Sequence, residues 1–290
     1  MKSAIKGKRG KRIVVGIIAG FIFFFFFGLL YVVLNFKSLM YPPLHRYQLS
    51  PRQYVKEKGN LLPQAASISL IVEEHGKRDK PLVALTFDAD MTPGMILMLR
   101  SGMAKSWYNR EIKTVLDQTR TKATVFMGGL WAQTYPLEAK ELAIDPLIEI
   151  GNHSYNHYAF ANSCYSLPTL PDDQDEDDVL KAQHIIKAIT GITPKYFRFP
   201  GGCYDRVALQ SVADLGLTIV HWDVVAMDGF NENTDSIVRA IESQVQNGSI
   251  IVMHIHDGSY APKTAEALKR IIPDLRKQGF EFVKVSEILK

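Results

Sequence analysis

From Leu82 onward the chain alternates short apolar runs with stretches in which apolar side chains recur every three or four positions. Nothing else in the sequence limits the fold as strongly. Strands buried on both faces read as continuous apolar runs, and parallel strands need crossovers long enough to hold a helix. The pattern therefore predicts βα units around a parallel sheet, an α/β fold. The strand candidates are Leu82–Phe87, Ala123–Met127, Leu147–Ile150, Tyr196–Phe199, Thr218–Val225, Ser249–His254 and Phe280–Val285. Between them, Ile112, Val115 and Leu116, and likewise Ile237, Val238, Ile241 and Val245, repeat at helical spacing. Gly191, Gly216, Gly248 and Gly279 stand where left-handed helix caps belong. About seven strands with intervening helices point to a barrel, with an open sheet as the alternative.

The body is preceded by a different kind of segment. Residues 13–36 are uncharged and, at about 1.5 Å per residue, long enough to cross a bilayer core of roughly 30 Å. The run is followed by Lys37, Leu39, Met40 and Tyr41 rather than by small residues, which favours an uncleaved anchor over a removable signal. Lys2, Lys6, Lys8, Arg9, Lys11 and Arg12 flank it with no acid among them, predicting a cytoplasmic N-terminus (residues 1–12) and an extracytoplasmic body. Without those six cations the chain holds 28 basic against 30 acidic residues, so the formal charge of +4 is no argument for nucleic-acid binding. Residues 37–80, with Pro42, Pro43, Pro51 and Pro63, read as a stalk that packs a strand such as Ser67–Val72 on the body, and residues 81–290 as the catalytic domain.

Polar residues gather where the strand candidates end. The first strand runs into Thr86-Phe87-Asp88-Ala89-Asp90, a place where α/β folds build their sites. The third runs into Gly151-Asn152-His153-Ser154-Tyr155-Asn156-His157. Two His four apart on a helical turn point their rings the same way and can share one metal ion. The fourth ends in Arg198-Phe199-Pro200-Gly201-Gly202-Cys203-Tyr204, where consecutive glycines let backbone N–H groups approach a ligand and Arg198 can hold a carboxylate. Asp228 and the run Val252-Met253-His254-Ile255-His256-Asp257 follow. Two His plus one Asp, with a position left for water, is a hydrolytic zinc arrangement.

In this order the blocks resemble the polysaccharide deacetylases of the NodB-homology group, carbohydrate esterase family 4, over roughly residues 81–290. The family blocks read T-F-D-D-G, H-[ST]-x-x-H, R-x-P-x-G, D-x-x-D-W and L-x-H. The second matches fully here, the third as Arg198, Pro200 and Gly202, and the fifth as Val252-Met253-His254. The resemblance implies a distorted (β/α) barrel in which water activated by a divalent metal attacks an acetamide carbonyl. It implies that Asp88 is the base, oriented by Arg198, and that His153 and His157 hold the metal with a carboxylate. Gly201 supplies a backbone N–H to the oxyanion, a role open to any residue, and His254 is the general acid, fixed by Asp228. Gly202 and Tyr204 are the substrate-contact candidates.

Three positions depart from the blocks. Ala89 replaces the second Asp of the first block, so Asp90 is the preferred third ligand, with Asp88 as the alternative. Val225 and Gly229 stand where the fourth block has Asp and Trp, and His254 and His256 alternate along one strand, so either can face the site; His254 is preferred. The implied enzyme removes N-acetyl groups from N-acetylhexosamine units of an extracytoplasmic polysaccharide, peptidoglycan first, with zinc, cobalt or nickel. A glycan-binding module that has lost activity and an O-acetyl esterase are the rival readings.

Three further segments carry expectations. The acidic run Asp172–Asp178 reads as a charged helix N-terminus ahead of a helix over about 179–189 rather than a calcium loop. Residues 91–103 form either a lip over a groove, a membrane-facing surface, or an ordinary buried helix. Cys164 and Cys203, the only cysteines, are either bridged or two separate buried thiols.

Overall fold

The computed structural model describes residues 70–290. The anchor expected over 13–36 and most of the 37–80 stalk lie outside the described residues. Among the described residues no helix is long and apolar enough to cross a membrane.

The strands are β1 Val72–Glu73, β2 Leu82–Ala89, β3 Ala123–Met127, β4 Ile148–Asn152, β5 Tyr196–Phe197, β6 Thr218–Val220, β7 Val224–Val225, β8 Ser249–His254 and β9 Glu281–Phe282. They form one nine-stranded sheet, one more than the seven body strands and one stalk strand that the sequence suggests, ordered β1-β6-β5-β4-β3-β2-β8-β7 with β9 also on β2. Every ladder is parallel, as continuous apolar runs require. The helices are α1 Pro93–Ser101, α2 Arg110–Thr119, α3 Gly129–Thr134, α4 Pro136–Ile144, α5 Asp175–Thr190, α6 Arg206–Asp214, α7 Thr234–Glu242, α8 Thr264–Lys277 and α9 Val285–Ile288.

The expected strand Thr218–Val225 is in fact two. Its first part, β6, pairs with β1 and β5, whereas β7 pairs with β8 at the other end of the order. Only His221, Trp222 and Asp223 join them. Four Cα steps of 3.8 Å span at most about 15 Å, so the sheet curls until its two ends approach. The result is a curled half-barrel closed by a covalent link rather than by a ladder. Asp223 secures that link: its N–H donates to Ile250 O, its Oδ1 accepts from Ile250 N at 2.8 Å, and its Oδ2 accepts from Arg78 at 2.7 Å.

Helical spacing foretells which faces are buried. Ile112, Val115 and Leu116 of α2 and Ile237, Val238 and Ile241 of α7 are all buried, though α7 stops at Glu242, before Val245. Helix α5 begins at Asp175, several residues earlier than expected, because a 3-10 turn over Asp172–Gln174 leads into it and acids fill its first turn. Helix α1 is not an ordinary buried helix: Ile96 is its only buried residue, and Leu97 is 63% exposed.

Candidate active site and metal centre

Parallel register brings distant residues to one edge. Asp88 lies opposite His254 on β8 and opposite Phe126 on β3, and Asn152 at the end of β4 lies opposite Phe197 on β5. The loops that follow these strands therefore emerge together at the C-terminal edge of the sheet.

Asp88 is held by Arg198, which is fully buried. One guanidinium nitrogen donates to Asp88 Oδ1 and to Thr86 Oγ1, both at 2.8 Å. The others donate to Val220 O at 3.3 Å and His221 O at 3.0 Å, and the group lies 4.0 Å over the Phe126 ring. All three guanidinium nitrogens donate within the protein. A buried guanidinium tied to main-chain carbonyls makes a fixed counter-charge for one carboxylate.

The His pair converges, but not by a helical turn. Residues 153–158 contain no helix, and Ser154 and His157 are non-glycine residues with φ of 66° and 56°. Such backbone persists only where surroundings enforce it. Here Asp178 of α5 accepts from the Tyr155 N–H at 2.7 Å and from Asn156 Nδ2 at 3.3 Å, and Asn152 Oδ1 accepts from the Ser154 N–H at 2.9 Å. The rings of His153 and His157 lie 5.0 Å apart.

Asp90 completes the cluster. Its Oδ1 lies 3.4 Å from His153 Nε2 and 3.5 Å from His157 Nε2, and the three residues offer ligand atoms within 4.8 Å of one another. Asp88 Oδ2 stands further off, 3.7 Å from His153 Nε2, and is occupied with Arg198 on its other oxygen. Strand alternation continued one step past Ala89 gives the reason, since Asp88 and Asp90 fall on one face and Ala89 on the other.

These residues fit a divalent cation. Ligand atoms about 2.1 Å from a tetrahedral ion sit roughly 3.4 Å from one another, and Asp90 Oδ1 stands at that spacing, 3.4 and 3.5 Å, from the two histidine nitrogens. Asp90 Oδ1 and His153 Nε2 are buried and accept no hydrogen bond, a costly arrangement unless something positive lies between them. His153 Nδ1 bonds Arg198 O at 2.8 Å, which turns Nε2 toward Asp90; burial disfavours the charged ring, but Asp88 and Asp90 outweigh it and raise its pKa, so Nε2 attracts a proton where no cation is bound. Burial pushes His157 down to about 4, so its ring is neutral at physiological pH. Burial opposes the Asp90 anion, yet His157, His153 and His256 hold its carboxyl well below the usual range.

On the other side stands His254. Its Nδ1 bonds Asp228 Oδ1 at 2.8 Å, its N–H donates to Asp228 Oδ2 at 2.8 Å, and Thr264 Oγ1 donates to that same oxygen at 2.7 Å. Burial disfavours the imidazolium, but the Asp228 carboxylate outweighs it and raises His254 to about 10. The ring is 23% exposed, so Nε2 can meet a ligand. His256 cannot take that part: Nδ1 donates to Trp107 O at 2.9 Å, Nε2 accepts from the Asp90 N–H at 3.1 Å, and the residue is fully buried.

Gly201 and Gly202 occupy the turn after β5, with φ of 61° and 69°. The expectation that any residue serves at 201 does not hold here: besides the left-handed backbone, a Cβ would lie 2.8 Å from Cys164 Sγ. A Cβ at 202 would lie 2.3 Å from His221 Nε2. Cys164 and Cys203 are bridged across 39 residues, tying the loop beyond the His pair to this turn. Tyr204 stacks on Phe199 with centroids 4.8 Å apart, half-buried.

Several contributors escape sequence reading. Tyr260 donates to Asp90 Oδ2 at 2.7 Å, and burial and the Asp90 charge raise its hydroxyl well above the usual range, so it keeps the proton it donates. Trp107 receives His256 and donates from its own ring to Met95 O at 3.0 Å, connecting α1 to the cluster. Phe230, 84% exposed, packs on Tyr260 with centroids 5.0 Å apart. None carries a spacing signature; a lone Tyr or Trp in a loop looks like any other.

A curled parallel (β/α) half-barrel with an Asp-His-His cluster at the C-terminal edge of its strands, flanked by two further carboxylate pairs, defines an α/β protein with a candidate mononuclear metal centre. A family model described as polysaccharide deacetylase matches residues 75–220. The chain belongs to that family. It is 29% identical over 214 residues, 73% of this chain and 90% of the relative, to a peptidoglycan-N-acetylglucosamine deacetylase of Bacillus cereus. Its fold matches the crystal structure of a peptidoglycan N-acetylglucosamine deacetylase in complex with a naphthalenyl N-oxidanyl-benzamide, at TM-score 0.64 and 25% identity over 83% of this chain and 97% of that one. A family 4 pseudoenzyme from Bacillus anthracis shares the fold at TM-score 0.62 and 24% identity, covering 77% of this chain and 70% of that one.

Proposed function

We propose that the chain is a metal-dependent hydrolase that removes N-acetyl groups from N-acetylhexosamine units of an extracytoplasmic polysaccharide, with peptidoglycan as the first substrate to try. One observation carries the reading: two buried atoms with no hydrogen-bond partner, Asp90 Oδ1 and His153 Nε2, face each other and His157 across a cation-sized space between the Asp88–Arg198 and His254–Asp228 pairs. A divalent ion held by Asp90, His153 and His157 supplies Lewis acidity and lowers the pKa of water.

The chain's own groups do the rest. Asp88, kept in place by Arg198 and Thr86, takes the proton of the attacking water through Oδ2, the oxygen that Arg198 leaves free. The Gly201 N–H, in a turn whose neighbouring amides already donate to Phe199 O and Pro200 O, stabilises the developing oxyanion. His254 enters protonated, because Asp228 holds its charge and its Nδ1 proton, and gives the Nε2 proton to the departing amine. Substrate reaches this edge beside Phe230, Met227 and Asn231, which line an open groove. The basic flank over 1–12 and the apolar run over 13–36 support a membrane-anchored chain with an extracytoplasmic body.

The test is acetate release by the full-length chain from peptidoglycan, from N-acetylglucosamine oligomers and from O-acetylated xylan, before and after chelation. Release from the amide substrates that chelation abolishes and zinc or cobalt restores supports the proposal. Release from xylan alone makes the chain an esterase. Ala89 favours a second reading, an inactive glycan-binding module, and retention of glycan without any acetate release by metal-loaded protein establishes it.

A further inference from the structure

Strand β2 ends at Ala89, so the residue that completes the cation cluster stands just beyond the last ladder position. A carboxylate there is not positioned by register. Its backbone and its second oxygen need other partners, and both have them. The Asp90 N–H donates to His256 Nε2, and His256 is locked in turn by its bond to Trp107 O. Trp107 is anchored by its own N–H to the Tyr135 hydroxyl at 2.7 Å and by its ring N–H to Met95 O. The Asp90 side chain receives the Tyr260 hydroxyl on Oδ2, leaving Oδ1 as the oxygen that faces the histidines.

The place taken by the Tyr260 ring also explains Gly229. A Cβ at 229 would lie 3.3 Å from Tyr260 Cε2 and 3.9 Å from His254 Cε1, so a large side chain there and the Tyr260 ring compete for one volume. The Ala261 N–H donates to Gly229 O at 2.5 Å and presses the two segments together. Around the tyrosine, His256, His254 and Phe230 lie with centroids 4.6, 5.0 and 5.0 Å away. Asp90, Gly229, His256 and Tyr260 thus pack as one cluster.

We propose that Tyr260 and His256 are positioning residues for the metal carboxylate of this chain: they hold Asp90 one residue beyond the strand so that Oδ1 alone is offered to the cation. The inference rests on the reading of Asp90, His153 and His157 as a cation site. Partners that orient a ligand without touching the ion typically change metal affinity by about 10- to 100-fold when removed.

The experiment is cobalt and zinc titration of metal-stripped full-length chain, reading the dissociation constant by chelator competition and the cobalt site by its visible absorption. Tyr260→Phe keeps the ring and removes only the donor. It is expected to weaken both metals by about tenfold or more and to change the cobalt spectrum, while Phe230→Ala leaves both readouts as they are. Unchanged affinity and spectrum in Tyr260→Phe overturn the inference, as does an equal loss in Phe230→Ala, which would assign the effect to ring packing. Should Tyr260→Phe fail to fold, His256→Leu, which removes the acceptor of the Asp90 N–H, carries the same test with the same expected loss. Asp90→Ala separates this inference from the reading beneath it. If the wild-type chain binds metal and Asp90→Ala does not, only the Tyr260 and His256 assignment is at stake; if the wild-type chain binds none, both fall.

Discussion

Asp88 and Asp90 are two residues apart, equally buried, and held in opposite ways. Asp88 sits in the ladder between β3 and β8, with a buried guanidinium fixed by main-chain carbonyls on one oxygen. Asp90 lies past the ladder and depends on two side chains of the one loop between β8 and α8, His256 and Tyr260. Register positions the first from the sheet outward, so whatever preserves the barrel preserves it. The second is assembled from the periphery inward and can be lost without loss of the fold. The carboxylate proposed as the base is thereby built rigidly, and the one proposed as the metal ligand is built adjustably.

The comparison can be broken at Asp88 first. Asp88→Asn keeps the shape and the Arg198 contact, and turnover on an N-acetylated glycan is expected to fall by roughly 100- to 10,000-fold, with cobalt affinity by titration nearly unchanged. Activity close to wild type removes Asp88 as the base. Arg198→Met leaves the Asp88 carboxylate buried without its partner, and chemical denaturation should show a loss of about 3 to 5 kcal/mol. A loss below about 1 kcal/mol means that the carboxylate finds water or a proton instead.

Asp90→Ala should have the reverse signature. Metal affinity drops more than about 100-fold, while the denaturation midpoint of the metal-free protein moves little, because the strand register does not use the residue. Equal destabilisation by Asp90→Ala and Arg198→Met would erase the distinction between the two carboxylates.

A smaller effect concerns His254, which shares the ladder with Asp88. Its folded value is raised to about 10 from 6.5, so the pair's stabilisation is complete below pH 6.5 and is lost as pH rises through about 10. Asp228→Asn removes the counter-charge. Ring NMR titration of metal-free protein should then place His254 at a clearly lower value, and the alkaline limb of activity should move down with it. An unmoved titration would show that Asp228 is not what holds the proton.

Much of the candidate site is legible in the sequence. Asp88, His153, His157, Arg198, Asp228 and His254 each stand at the exit of an apolar run, and a parallel sheet brings such exits to one edge. The order of motifs named the family, which the match over residues 75–220 bears out. Less legible was the means. A helical turn was expected to align the histidines; instead two left-handed residues under Asp178 do so, and local spacing carries no trace of a partner on α5. The single strand expected over 218–225 proved to be two strands at opposite ends of the sheet, because eight apolar-rich residues look alike whether or not they bend midway.

What the sequence determined by itself was periodic or local: strand and helix placement, the parallel sheet, and the candidates at the strand ends. Tertiary structure alone decided the bridge between Cys164 and Cys203, the burial of His256 between Trp107 and Asp90, the grouping of Asp90 rather than Asp88 with the two histidines, and the support from Tyr260. The physical reason is common to all four. Each depends on contacts between residues many positions apart, whose geometry is fixed only when loops from separate βα units meet above the barrel, and no repeat in the chain encodes that meeting.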